Sequence, residues 1–248
     1  MRTFKSGISL AILIALLAGC GGGGGGGAAA PAAPVVSTLS FPLLSAYTAL
    51  NASGMSRSFT ATVTIPTNIG SATISCSANG NGTISPATTS ATFEGKPALS
   101  STTTLTVTTV ASAVCSSATT TQTSTNFFDT NYVDLGYSVA GGEYGVYLTP
   151  LSIPASVKVG DNAVAGTETI YTDSTKATIS GTSVKSFVIE ADTASTAIVN
   201  MIEKSLDTTG KVTSTSQTRF RITASAAFTP LSMDVQFSDG SGLAIQFN

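Results

Sequence analysis

Three cysteines, Cys20, Cys76 and Cys115, and 13 carboxylates carry most of the chemical scope of this 248-residue chain, which has no histidine. Without an imidazole there is no Ser-His-Asp or Cys-His relay and no His-ligated zinc. A catalytic thiol at Cys76 or Cys115 would lack its usual activating base. Glu190 and Asp192 could share acid–base work, but they fall at a strand-to-turn boundary, where acids are ordinarily solvated. Arg219 and Arg221 alternate on one strand face, which predicts ion pairs with acids across a hairpin. Asp129 to Asp134 begins like a calcium loop. Its third ligand position is Val133, Asp134 replaces the required glycine and no Glu closes a twelve-residue loop, so a solvated turn is expected. Tyr132, Tyr137, Tyr144 and Tyr147 cluster around Gly136 and Gly141-Gly142. They could stack on sugars or peptides, but rings covering a domain junction are the expected reading. No catalytic, cofactor or metal-ligating set emerges. A hydrolase would need a nucleophile–base pair without histidine, such as Ser–Lys, with both side chains converging and buried.

The elements that must position these groups are strands. Only 10% of the residues are charged and 42% are apolar, which excludes a charge-rich disordered chain. Leu, Glu and Lys are scarce, against a helical bundle. Phe59, Ala61, Val63 and Ile65 alternate with Thr60, Thr62 and Thr64. Ile74, Cys76 and Ala78 alternate with Ser75 and Ser77, and Leu105 and Val107 with threonines. Period 2 with β-branched partners marks half-buried strands. Asn79-Gly80-Asn81-Gly82 reads as a turn. Residues 100–125 hold 17 Ser or Thr, expected as β surface and loop.

Further on, hairpins are expected around 172–175, Asp207-Thr208-Thr209-Gly210 and 238–242. Residues 197–206 are ambiguous: Ile198, Ile202 and Leu206 repeat at helical spacing, but the strand expected at 212–223 needs a partner, so strand is the reading. Val35 to Phe128 carries only Arg57, Glu94 and Lys96, whereas 7 basic and 12 acidic residues occur from Asp129 onward. That shift suggests two antiparallel β-rich units: a sandwich-like Ser/Thr-rich unit over 39–135 and a curved meander or half-barrel over 136–248. The fold class is all-β.

The N-terminus reads as an address. Met1 to Lys5 is positive, Ile8 to Leu17 is apolar and Leu17-Ala18-Gly19-Cys20 ends the run. Positive, apolar, small-residue site is the secretory order, and about ten apolar residues are too few to span a bilayer core of roughly 30 Å. Leu17-Ala18-Gly19-Cys20 resembles the lipobox of bacterial lipoprotein precursors. The resemblance implies cleavage between Gly19 and Cys20, removal of residues 1–19, and acylation of Cys20. At ~0.8 kcal/mol per buried methylene, two or three acyl chains hold a protein on its membrane. Gly21 to Gly27 and the Ala/Pro stretch behind it read as a tether within residues 20–38, reaching ~20 Å. Gly21, where an Asp would favour inner-membrane retention, points to the outer membrane.

In an oxidising envelope, Cys76 and Cys115 are expected as one disulfide. Removing Arg2 and Lys5 takes the 11 basic residues to 9 against 13 acids, with no basic stripe for nucleic acid. The lipobox with its glycine run, together with Asn126 to Tyr132, Tyr144 to Pro150 and Tyr171 to Lys176, is similar to a group of uncharacterised proteobacterial lipoproteins. This implies location and all-β class, not an activity. The expectation is a lipid-anchored envelope protein, non-enzymatic, serving in binding or structure, with the membrane as its partner through the acyl chains. The rivals are a carrier of a lipid or other hydrophobic ligand in a curved-sheet cavity and a His-independent hydrolase.

Overall fold

The computed structural model describes residues 35–67 and 73–248. Gly19 and Cys20, with the rest of the expected signal and most of the tether, lie outside the described residues. The elements run α1 (Leu43–Ser53), β1 (Met55–Pro66), β2 (Thr73–Ile84), β3 (Thr89–Phe93), β4 (Lys96–Thr109), β5 (Thr119–Phe128), β6 (Asp134–Ser138) and β7 (Tyr144–Tyr147). Then come β8 (Asn162–Tyr171), β9 (Ile179–Ala191), β10 (Thr196–Asp207), β11 (Val212–Thr223), β12 (Phe228–Phe237) and β13 (Gly242–Phe247).

The chain is all-β, as its alternation predicts, but its strands do not divide into two units. Strands from both stretches share one antiparallel sheet. From β4 to β13 each strand pairs with the next. β13 pairs back onto β1 through Phe59 opposite Phe247, and β2 pairs with β4 through Gly82 opposite Leu105. Twelve strands thus close into a barrel, with β3 attached to β4 alone. The sandwich and the half-barrel are both replaced by closure. The charge shift near residue 129 marks a change of surface within one sheet. Closing the sheet removes the unpaired edges that an open meander would expose.

Turn chemistry sets several hairpins. Asp207 Oδ1 accepts from the N–H groups of Thr209 (2.8 Å) and Lys211 (3.0 Å), with Gly210 at φ 81°. Asp239 likewise takes the N–H of Ser241, and Asp173 that of Thr175. Residues 196–207 form a strand paired on both sides, to β9 and β11. Pairing on both sides within the sheet overrides the helical spacing of Ile198, Ile202 and Leu206.

Asn79-Gly80-Asn81-Gly82 is not a turn but the middle of β2. Gly80 lies opposite Phe59, and a Cβ there would stand 2.3 Å from the Phe59 ring and 2.1 Å from the Thr106 carbonyl oxygen. The glycine makes room for a ring, so the signal was steric and not conformational. The Ser/Thr-rich stretch forms β4 and β5, whose threonines face each other in a ladder on the exposed face: Thr104–Thr123, Thr106–Thr121 and Thr108–Thr119.

Sequence reading missed α1. Its Leu43, Ala46, Tyr47 and Asn51 are buried on one face, at helical spacing. It is tied to loops leaving one end of the barrel: Phe41 pairs with Val157, the Leu44 N–H reaches the Pro154 carbonyl, and Asn51 Nδ2 donates to the Tyr132 carbonyl. A large buried cluster joins the helix to Phe187, Ile189, Val199, Met201, Phe220 and Ile222 on β9–β11. A second, around Phe59, Met233, Val235 and Ile245, fills the side where β13 meets β1. An eight-stranded barrel fills with side chains alone. This wider one takes a helix as well. Cys76 and Cys115 are bonded, Cα–Cα 5.8 Å, pinning the β4–β5 loop to β2.

Candidate functional site

The twelve barrel strands and the buried face of α1 all contribute to the lining of a cavity of about 200 Å³. The strand register dictates who meets there. Tyr147 on β7 stands opposite Glu168 on β8, which stands opposite Ser183 on β9. Two residues along β9, Lys185 stands opposite Glu203 on β10, which stands opposite Ser216 on β11. Alternation then points this whole set inward. Gly145, opposite Tyr137, has no side chain because none fits: a Cβ would lie 2.3 Å from the Tyr137 ring and 2.5 Å from Glu168 Oε1.

The hydrogen bonds are unevenly shared. Ser183 Oγ donates to Glu203 Oε1 at 2.5 Å. The Tyr47 hydroxyl donates to Asp134, joining α1 to the start of β6. By contrast, Glu168 Oε1 and the hydroxyls of Ser205 and Ser216 are buried with no hydrogen-bond partner among the described residues. The half-buried Lys185 ammonium makes no ion pair within 4.0 Å among the described residues and lies 5.4 Å from the centre of the Tyr147 ring.

Burial governs the electrostatics. It raises the Glu168 carboxyl well above the usual range, and neighbouring Glu203 adds to the effect more than Lys185 offsets. Glu203 is also raised by burial, with Lys185 and Ser183 pulling the other way. Burial opposes the charge on Lys185, but Tyr147, Tyr47, Asp134 and Glu203 around it prevail and hold the ammonium above the lysine range. Burial lifts the Tyr147 and Tyr47 hydroxyls, so both stay protonated at neutral pH. The site therefore sets a lysine whose charge its neighbours favour beside a carboxyl whose ionisation burial opposes. Phe128, Phe220, Met201, Met233 and Phe247 complete an apolar side.

The residues singled out from sequence distribute differently. Glu190 and Asp192 sit on the outer face. Asp192 takes a two-pronged bond from Arg221 (2.7 and 3.1 Å), and Glu190 pairs with Arg219 at 3.4 Å and accepts from Asn200 Nδ2 at 2.7 Å. These are the expected ion pairs, reaching across β10. Asp129 closes a turn by accepting the N–H groups of Asn131 and Val133. Asp134 turns inward to Tyr47 instead of joining a calcium set. No group of acids, cysteines or histidines suited to a metal exists among the described residues. The tyrosines split: Tyr137 and Tyr147 line the cavity, whereas Tyr144 packs on the opposite face with Phe93 and Phe127 and donates to Glu94. They bridge strands of one barrel, not a junction between domains.

Glu168, Lys185 and Glu203 were not recognised in the sequence. The available signal was three charged residues at inward positions of otherwise apolar-alternating strands. No family, curated protein or solved structure matches this chain. The fold and site define the class: a closed antiparallel β-barrel with a helix lodged against its core and a polar chamber in its lumen.

Proposed function

We propose that this is a lipid-anchored protein of the bacterial cell envelope whose barrel holds a small molecule in its lumen and performs no covalent chemistry. One observation carries the binding role. The cavity lining brings together the Lys185 ammonium, in no ion pair, and the Glu168 carboxyl, whose Oε1 has no hydrogen-bond partner among the described residues, although burial of unsatisfied polar groups costs roughly 1–3 kcal/mol each. A wall built only for stability would replace them with apolar residues.

The lipobox, Leu17 to Cys20, supports the anchor, with the outer membrane favoured by Gly21. The chain joins the barrel where Val35 pairs with Asp192 and Ser37 Oγ donates to the Ala194 carbonyl, at the β9–β10 turn. The outer face supports a barrel standing in water: Lys204, Arg219 and Arg221 lie along β10 and β11, where a lipid-facing wall would be apolar. A cavity of about 200 Å³ disfavours an acyl chain, since sites for even drug-sized ligands run to ~300–1,000 Å³. A hydrolase is disfavoured as well. Ser183 donates to Glu203 and not to Lys185, and an ammonium held protonated cannot take a hydroxyl proton.

Two measurements test this reading. Mass spectrometry of the N-terminal peptide should find Cys20 acylated, and Cys20→Ser should leave the membrane fraction. Native mass spectrometry of protein purified from its own membrane should find a small non-covalent ligand. An unmodified Cys20 or a uniformly empty barrel would count against the corresponding half.

A further inference from the structure

The unsatisfied groups of the chamber specify what it accepts, given that the lumen is a receptor as proposed above. We propose that the cavity binds a small, neutral, polyhydroxylated ring, the size of a single sugar unit, between Lys185 and Glu168.

An ammonium has three donors and no acceptor, and that of Lys185 is spent on no ion pair among the described residues. It requires an acceptor from the occupant. Glu168 Oε1 has no partner among the described residues while only 2% of the residue is exposed, and a carboxyl whose proton burial favours can donate as well as accept. Asn51, Asn126 and Glu203 add further polar side chains to the lining. The site therefore wants donors and acceptors together, which hydroxyl groups supply.

Charge then narrows the class. Lys185 already stands between Glu203 and Asp134, so an anion brought to the ammonium would be set against those two acids. A cation would meet the Lys185 ammonium. A neutral ligand avoids both repulsions. Size agrees, because about 200 Å³ is the room of roughly seven waters, enough for one six-membered ring with its hydroxyls. Tyr147 and Phe220 are among the apolar side chains of the lining, against which the C–H side of such a ring can pack.

The experiment uses the full acylated protein in detergent micelles, titrated separately with glucose, benzoate and choline. Binding is followed by saturation-transfer NMR and by the backbone amide shifts of Ser183, Lys185 and Glu203. Glucose should bind saturably and shift those three amides. Lys185→Met and Glu168→Leu should each weaken it at least tenfold while thermal melting confirms that the variant is folded. Should either variant fail to fold, the amide shifts of the unaltered protein decide. Saturable benzoate or choline binding without glucose overturns the ligand class and leaves the receptor reading standing. Glucose shifts confined to the outer face overturn the site. No binding by any probe, with only ligand-free mass from native membranes, overturns both.

Discussion

Lys185 and Glu203 stand directly opposite each other on β9 and β10, yet their charged ends form no ion pair. Glu203 is engaged by Ser183, and Lys185 leans over the Tyr147 ring. An opposed pair on a sheet would ordinarily close into a salt bridge. Here the lysine is left facing the cavity, and several consequences can be measured.

Glu168 should make the protein lose stability as pH rises. Its carboxyl is raised in the folded state, chiefly by burial, so folding favours the bound proton. The favourable contribution is complete below the ordinary glutamate value of about 4.3 and disappears as pH climbs through the folded value. Glu168→Gln keeps the shape and cannot ionise. Its melting temperature should therefore fall less than that of the unaltered protein between pH 5 and pH 9. Parallel curves would refute a neutral Glu168.

Gly80→Ala should destabilise the barrel by about 1–3 kcal/mol, the usual cost of overpacking. The added methyl collides with the Phe59 ring and the Thr106 carbonyl. Phe59→Leu in the same chain should recover part of the loss by clearing the ring, with the backbone collision remaining. Urea unfolding of the single and double variants measures both effects.

Opening the Cys76–Cys115 bond should cost about 4 kcal/mol in loop-closure entropy for its 39-residue separation. Cys76→Ser with Cys115→Ser would show this as a lower denaturation midpoint, and reduction of the unaltered protein should match it. Glucose binding should survive, because the bond pins the β4–β5 loop and not the β8–β10 wall.

Tyr47→Phe should loosen the helix from the barrel. It removes the hydroxyl that Asp134 accepts and keeps the ring in the core, so a loss of about 1.5–3 kcal/mol is expected for a hydrogen bond to a charged group. Amide exchange of residues 43–53 should speed up more than that of β10. Equal acceleration of both would mean that the helix and barrel unfold as one unit.

Much of the β-structure was legible because strand alternation and Asp/Gly turns are local. β11 runs over Val212–Thr223 as read, and residues 197–206 fall within β10 as its partner. The ion pairs of Arg219 and Arg221 follow from the same short-range pattern. α1 was not legible. Its apolar face is short, and it has neither a side-chain cap nor charged end residues to announce it. It is held as a helix by what it covers.

The sequence by itself determined that the chain is made of antiparallel strands, that Cys76 and Cys115 could pair, and that any catalysis must proceed without histidine. Each is a matter of residue type and near-neighbour spacing. Only the tertiary structure decided that the sheet closes, because closure is settled where β1 meets β13 and β2 meets β4, between residues far apart in the chain. The same is true of the chamber. Glu168, Lys185 and Glu203 are ordinary charged residues until register and curvature turn them inward, where burial shifts their protonation and leaves them wanting a partner.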